Sequence, residues 1–232
     1  AFTSKIDLFF GGGVYDHRKA SGQGLTVAAW DEGEVPDGIF TSSSGRTIIP
    51  ERLGGETWRT DTLFGAALST FGICYNTDRI EDLGLVHPPL RWADLTDPAY
   101  FRQVGVADPT KSGSIAKAFE MIIHEQCLRA TREAGFSKKE IDAYEASIAI
   151  AGLPPGELPK GVPAQYQEAI ELGWLHGLRL VQRIGANARY FTDSAPKVPL
   201  DVGAGNTAAG LAIDFYGRFQ AEMSRGPKGE AR

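Results

Sequence analysis

Two rhythms of apolar and polar positions run along this chain. Short unbroken apolar runs predict buried strands: "KIDLFFGGG" (5–13), the long "TLFGAALSTFGICYNT" (62–77), "QVGVAD" (103–108), "ARYFTDS" (188–194) and "TAAGLAIDFYGRF" (207–219). Between them, apolar residues recur at three- and four-residue spacing and predict helices. Ile115, Phe119, Ile122 and Ile123 define one from 113 to 134, stopped by Gly135. Ser137 and Glu140 form a capping-box pattern that opens a second, through Ala151. A third spans 164–184, with Ile170, Trp174, Gly177, Val181 and Ile184 assigned to its inner face. Shorter helical turns are expected at 16–25, 79–85, 91–97 and 197–205, and a short strand at "TWRT" (57–60).

Proline and glycine mark the breaks. "TSSSGRT" (41–47) reads as a flexible segment, "GLPPGELPKGVP" (152–163) as a linker within a domain, and "SRGPKGEAR" (224–232) as a polar, frayed end. No internal repeat is present. Strands that alternate with helices predict an α/β fold with mainly parallel sheets, in which ligands bind beyond the strand ends.

Composition narrows the function. A length of 232 residues suits one large α/β domain or two lobes. The net charge of −5, without a basic stripe, argues against a nucleic-acid surface. No apolar run reaches the length of a membrane span. Cys74 and Cys127 lie far apart and are expected as buried thiols. His17, His87, His124 and His176 show no metal-ligand spacing, and no nucleophile motif with its base occurs.

The clearest chemistry lies in "VADPTKSGS" (106–114). A helix that starts at Ser112, Gly113 and Ser114 offers backbone N–H groups, hydroxyls and a positive dipole end, with Lys111 adding a cation, so an anion or a carbonyl fits. The spacing is not that of a nucleotide-binding P-loop. The plainer alternative is a serine N-cap. Gly12, Gly13 and Tyr15 follow a strand-like run where bare backbone can approach a ligand. Arg189 is a second anion partner, and Tyr190, Asp193, Asp214 and Tyr216, placed at strand ends, are candidates for a cleft wall. Phe215 and Tyr216 can equally be core or boundary aromatics.

The segment "GICYNTDRIEDLGLVHPPLRWADLTDPAYFRQVGVADPTKSGS" (72–114), with "NARYFTDS" (187–194) and "VGAGNTAAGLAIDFY" (202–216), resembles bacterial extracellular solute-binding proteins of ABC importers. The nearest subgroup is the type II, ferric-iron-binding-like one. The resemblance implies two α/β lobes with mixed, mainly parallel sheets that close on a solute. Residues 1–70 would form part of an incomplete first lobe, 71–76 a hinge strand, 77–215 the second lobe, and 216–232 a return toward the hinge. It further implies a monomer that delivers a small anion or metal–anion ligand to a membrane permease, without catalysis or cofactor. It implies export to the periplasm or cell surface by a signal sequence that this chain lacks, and a chain shortened at both ends. Ser69, beside the hinge, joins the ligand-binding candidates. Ferric iron is one transported ligand the resemblance allows, through Tyr216, although Phe215 stands where iron-binding relatives have a second tyrosine. An enzyme on the same clamp, with Asp193, Asp201 or Asp214 as acid or base, is the rival reading. A structural module would instead expose a large apolar patch.

Overall fold

The computed structural model describes residues 6–30, 38–53, 56–154 and 156–225. The chain divides into two compact units, residues 1–70 and 71–232.

In the first unit, helix α1 (Val14–Gly22) follows the glycine run, and two short strands, β1 (Arg52–Leu53) and β2 (Glu56–Thr57), pair antiparallel. Isolated bridges join Thr41 to Thr47 and Arg59 to Phe64. The strand expected over 5–13 is not found: Ile6–Gly13 pair with no strand among the described residues, and Ile6, Leu8, Phe9 and Phe10 are exposed. Apolar side chains favour a strand only where a neighbouring strand and a covering layer receive them. The unit is held instead by an aromatic cluster. Trp30 meets Phe40 and Phe64 edge-on at 5.6 and 5.3 Å, and the Arg59 guanidinium lies 4.1 Å from the Phe40 ring centroid.

The second unit is a three-layer α/β sandwich. Its sheet has the order β3 (Phe71–Tyr75), β6 (Ala209–Ile213), β4 (Val104–Ala107), β5 (Ala188–Thr192). The pairs β4–β5 and β4–β6 are parallel and β3–β6 is antiparallel, so this sheet is mixed and mainly parallel, as expected. Of the long apolar run 62–77, only 71–75 forms a strand.

Helices α3 (Gly113–Glu133) and α5 (Ala164–Ala186) cover one face, and α6 (Lys197–Gly203) and α7 (Asp214–Met223) the other. Val104, Val106, Ile115, Ile122, Ile184 and Leu211 are all at most 2% exposed. Each such side chain contributes roughly 1.5–3 kcal/mol on burial. Two glycines let α3 and α5 approach closely: a Cβ on Gly173 would lie 2.3 Å from Cys127 Cα, and one on Gly177 2.6 Å from Ile123 Cα. The buried stripe of α5 is therefore Tyr166, Ala169, Gly173, Gly177, Leu180 and Ile184. Trp174, assigned inward from spacing, points out, because the glycines set which face meets α3. On the other face Gly105 and Gly210 let α6 settle: a Cβ on Gly210 would meet Val198 Cγ1 at 2.4 Å.

Helix α4 (Lys138–Ala151) opens with the expected capping box. The Ser137 N–H donates to Glu140 Oε2 at 2.9 Å, and the Glu140 N–H to Ser137 Oγ. Helix α2 (Thr77–Asp82) is capped by Asn76, whose side-chain amide also donates to the Val202 carbonyl at 2.9 Å. Tyr166, Phe136 and Tyr144 pack edge-to-face in a smaller cluster between α4 and α5.

Candidate functional site

The register fixes which residues share an edge. Ala107 pairs with Thr192, and β6 runs parallel to β4, so β4, β5 and β6 all end on the same side of the sheet. Helices α3, α6 and α7 begin there. The turn after β4, the turn after β5 and the start of α7 thus meet at the carboxyl edge, where α/β sheets bind ligands.

The turn after β4 is built by Asp108. Its Oδ1 accepts from the Thr110 N–H at 2.9 Å and the Thr110 hydroxyl at 2.7 Å. The hydrogen bonds from Thr110 hold the Asp108 carboxyl below 3.8, with Lys111 nearby acting in the same direction. The Asp108 N–H donates to the Thr192 carbonyl at 2.6 Å and joins this turn to the one carrying Asp193 and Ser194. The Lys111 and Ser112 N–H groups both close back on the Asp108 carbonyl. Neither Asp108 nor Thr110 stood out in the sequence, although Asp-Pro-Thr before a helix is a readable Asx-turn signal.

Ser112 is the N-cap of α3, its Oγ accepting from the Ile115 N–H at 3.5 Å. The plainer reading of this serine therefore holds for its side chain. The backbone differs: the N–H groups of Gly113 and Ser114 have no hydrogen-bond partner among the described residues. Lys111 is exposed beside them, and Gly113 and Ser114 are half-buried. Two free donors at the positive end of a 21-residue helix form an anion-accepting cradle.

Asp193 and Ser194 are exposed at the same edge. Asp214, Phe215 and Tyr216, expected at the end of a strand, instead form the first turn of α7, because β6 closes at Ile213. The i, i+4 pair Phe215 and Phe219 is the helical signal that the apolar run 207–219 concealed. The Asp214 carboxylate lies 3.6 Å from Arg218 Nε. The Phe215 and Tyr216 rings are 4.2 Å apart.

Two candidates lie elsewhere. Arg189 NH1 donates to the Asn206 carbonyl at 2.6 Å, at the amino edge where β6 begins, so its guanidinium does not serve the cradle. Tyr190 sits in mid-strand opposite Gly105 and turns under α6, with Lys197 Nζ 4.7 Å from its ring centroid. Burial, with the Asp201 carboxylate nearby, pushes its phenol far up. It is a packing residue rather than a cleft wall.

In the first unit, Gly12 has φ +73°, a conformation that favours glycine, and Gly13 caps α1 with its N–H on Asp16 Oδ2 at 3.0 Å. Tyr15 is exposed. Ser69 closes the unit before β3.

Cys74 and Cys127 are free thiols. Burial pushes Cys74 up to about 12, and its Sγ donates to the Gly210 carbonyl at 3.4 Å. Asp201 is no raised acid. Burial pushes its carboxyl up, but hydrogen bonds from Lys197, Tyr190 and Asn206 outweigh this and leave it below 3.8. Among the described residues no group of three or more His, Cys, Asp or Glu is placed to hold a metal ion. A cavity of about 380 Å³ lies on the α6–α7 face, lined by Ile73, Cys74, Pro199, Val202 and Ala212. Asp214 reaches its rim, but the cradle does not.

Residues 37–140, under half of the chain, match the family model of the bacterial extracellular solute-binding proteins, the family resembled by the sequence. An uncharacterized protein of Haemophilus influenzae (strain ATCC 51907 / DSM 11121 / KW20 / Rd) is 29% identical over 119 residues, 51% of this chain and 32% of its own length. The chain therefore spans about a third of that relative. Among solved structures, the periplasmic binding protein AfuA from Actinobacillus pleuropneumoniae, with exogenous fructose-6-phosphate bound, superposes with a TM-score of 0.41 at 18% identity, over 66% of this chain and 34% of its own. The periplasmic binding protein P5PA gives 0.37 at 16%, over 64% and 32%.

Proposed function

We propose that this chain, whose residues 37–140 carry the match to the bacterial extracellular solute-binding family, is the solute-gripping part of an ABC-importer binding protein. Its ligand is a small solute bearing an anionic or carbonyl group, held at the carboxyl edge of the four-stranded sheet. The free N–H groups of Gly113 and Ser114 at the start of α3 carry this reading. They lie where the α7 N-terminus and the turn of Asp193 and Ser194 also arrive, so several polar groups converge.

The mechanism is reversible capture. The N–H donors and the α3 dipole stabilise negative charge on the ligand, and Lys111 attracts it from solvent. Asp214, near Arg218, favours a hydroxyl or a cation on the far side of the ligand. A polar molecule with both charges, or a metal with a bridging anion, satisfies both. A metal–anion cargo would find Tyr216 as its phenol ligand, with Phe215 unable to supply a second.

In the whole protein, residues 1–70 belong to one lobe, 71–76 to a hinge strand and 77–215 to the other lobe. The protein works in the periplasm or at the cell surface and hands its ligand to a membrane permease. No helix among the described residues is long and apolar enough to cross a membrane.

Titration calorimetry against phosphate, phosphonates, ferric chelates, polyamines and neutral sugars tests this reading. One anionic or metal–anion member should bind at micromolar or tighter Kd. Gly113→Pro, which removes one N–H at the first helical position, and Lys111→Ala should each weaken it about three- to tenfold, the loss of one hydrogen bond or one near charge. Binding of a neutral sugar or polyamine alone, indifferent to both changes, would overturn it.

A further inference from the structure

The outward face of α5 is not the polar face a solvent-covered helix presents. Leu172, Trp174, Leu175 and Leu178 are between 44% and 53% exposed, while the opposite stripe through Gly173 and Gly177 packs on α3. At about 100° per residue, Trp174, Leu178, Leu175 and Leu172 fall within one continuous outer sector. Glu168, Glu171 and Arg179 share this sector, Arg183 borders it, and all four are exposed. An apolar stripe with a Trp along its margin and charges around it is how interaction surfaces are composed.

The order of the charges selects the occupant. Both acids lie in the N-terminal half of α5 and both arginines in the C-terminal half. Gln167 Nε2 donates to Glu171 at 2.9 Å, but Glu168, Arg179 and Arg183 form no ion pair among the described residues. A second α5 laid antiparallel places the acidic half of each helix against the basic half of the other. Centred between Leu175 and Leu178, this pairing sets Leu175 opposite Leu178 of the second copy and Trp174 opposite its Arg179. It also brings Glu168 and Glu171 toward the turn that carries its Arg183. A parallel copy would set like charges together.

We propose that this face of α5 is a two-fold, antiparallel self-association surface, so that the protein forms a dimer rather than the monomer implied by the family resemblance. The leucines and Trp174 supply the apolar centre, Arg179 stacks on the Trp174 ring of the other copy, and the flanking charges set direction. The solute cradle lies at the carboxyl edge of the sheet and takes no part.

Sedimentation velocity of the intact chain from 1 to 200 μM tests the proposal. The expected result is a reversible monomer–dimer equilibrium. Leu178→Glu should raise the dimer Kd roughly thirtyfold or more, as for a central interface residue. The pair Arg179→Glu and Arg183→Glu should abolish self-association. Adding Glu168→Arg and Glu171→Arg to that pair should restore it in part, because the reversed helix is again complementary to itself in charge but lacks the contact of Arg179 with Trp174. All five positions are exposed, and far-UV circular dichroism confirms that each variant is folded. A monomer at every concentration overturns the proposal. So does a dimer indifferent to Leu178→Glu, which would use another face, and so does a quadruple variant that stays monomeric, since charge order would then not set the pairing.

Discussion

The two units of this chain spend similar apolar residues very differently. In residues 6–70, as far as they are described, Leu63 is the one buried residue, while Ile6, Leu8, Phe9, Phe10, Leu25 and Val27 are all more than half exposed. In residues 71–225 a comparable density of apolar side chains builds a three-layer core in which Leu95, Val104, Ile122 and Val198 have no exposure. Amino-acid type therefore does not decide burial. Burial follows a sheet with helices long enough to cover both faces, which the second unit has and the first lacks among its described residues.

The largest expected effects test that difference where the second unit is tightest. Gly173→Ala or Gly177→Ala forces a methyl into the α3 backbone and should cost about 1–3 kcal/mol, seen as a lower urea midpoint. Gly210→Ala, aimed at Val198, should fall in the same range. Ser137→Ala, which removes the cap of α4, should cost about 1 kcal/mol. Phe10→Ala in the first unit should change stability by less than about 0.5 kcal/mol, since the ring is 82% exposed. An equal loss at Phe10 and Gly173 would erase the contrast between the units.

A smaller effect concerns pH. The folded Asp201 carboxyl titrates below its ordinary 3.8, so its contribution to stability is present above that value and fades as pH falls through the lower, folded pKa. Asp201→Asn should therefore flatten the acid limb of the stability–pH curve below about pH 4, with little change in its shape near neutrality. Acid denaturation followed by circular dichroism reads this directly.

Much of the second unit was legible in the sequence because its signals are local. The Ser137–Glu140 box, the stop at Gly135 and the spacing from Ile115 to Ile123 each specify an element through contacts within one or two turns. The misread features depend on distant partners. "KIDLFF" needs neighbouring strands that its own residues cannot announce, and Trp174 faces outward only because Gly173 and Gly177 meet α3. At the site, the helix start at Ser112–Ser114 was readable from Asp-Pro-Thr-Lys-Ser-Gly-Ser. Arg189 and Tyr190 were misplaced because alternation gives the face of a strand but not its level along the sheet. The α7 start was hidden because β6 and α7 share one apolar run.

On the proposed function, solute binds at the carboxyl edge of the four-stranded sheet. Backbone amide NMR of the whole protein, titrated with the anionic member of the panel that binds, tests it most directly. Saturable shifts are expected at Gly113 and Ser114 first, then at Asp193, Phe215 and Tyr216, while Arg189 and Asn206 at the opposite edge stay still. Shifts centred on Arg189 and Asn206, with Gly113 and Ser114 unmoved, would contradict it.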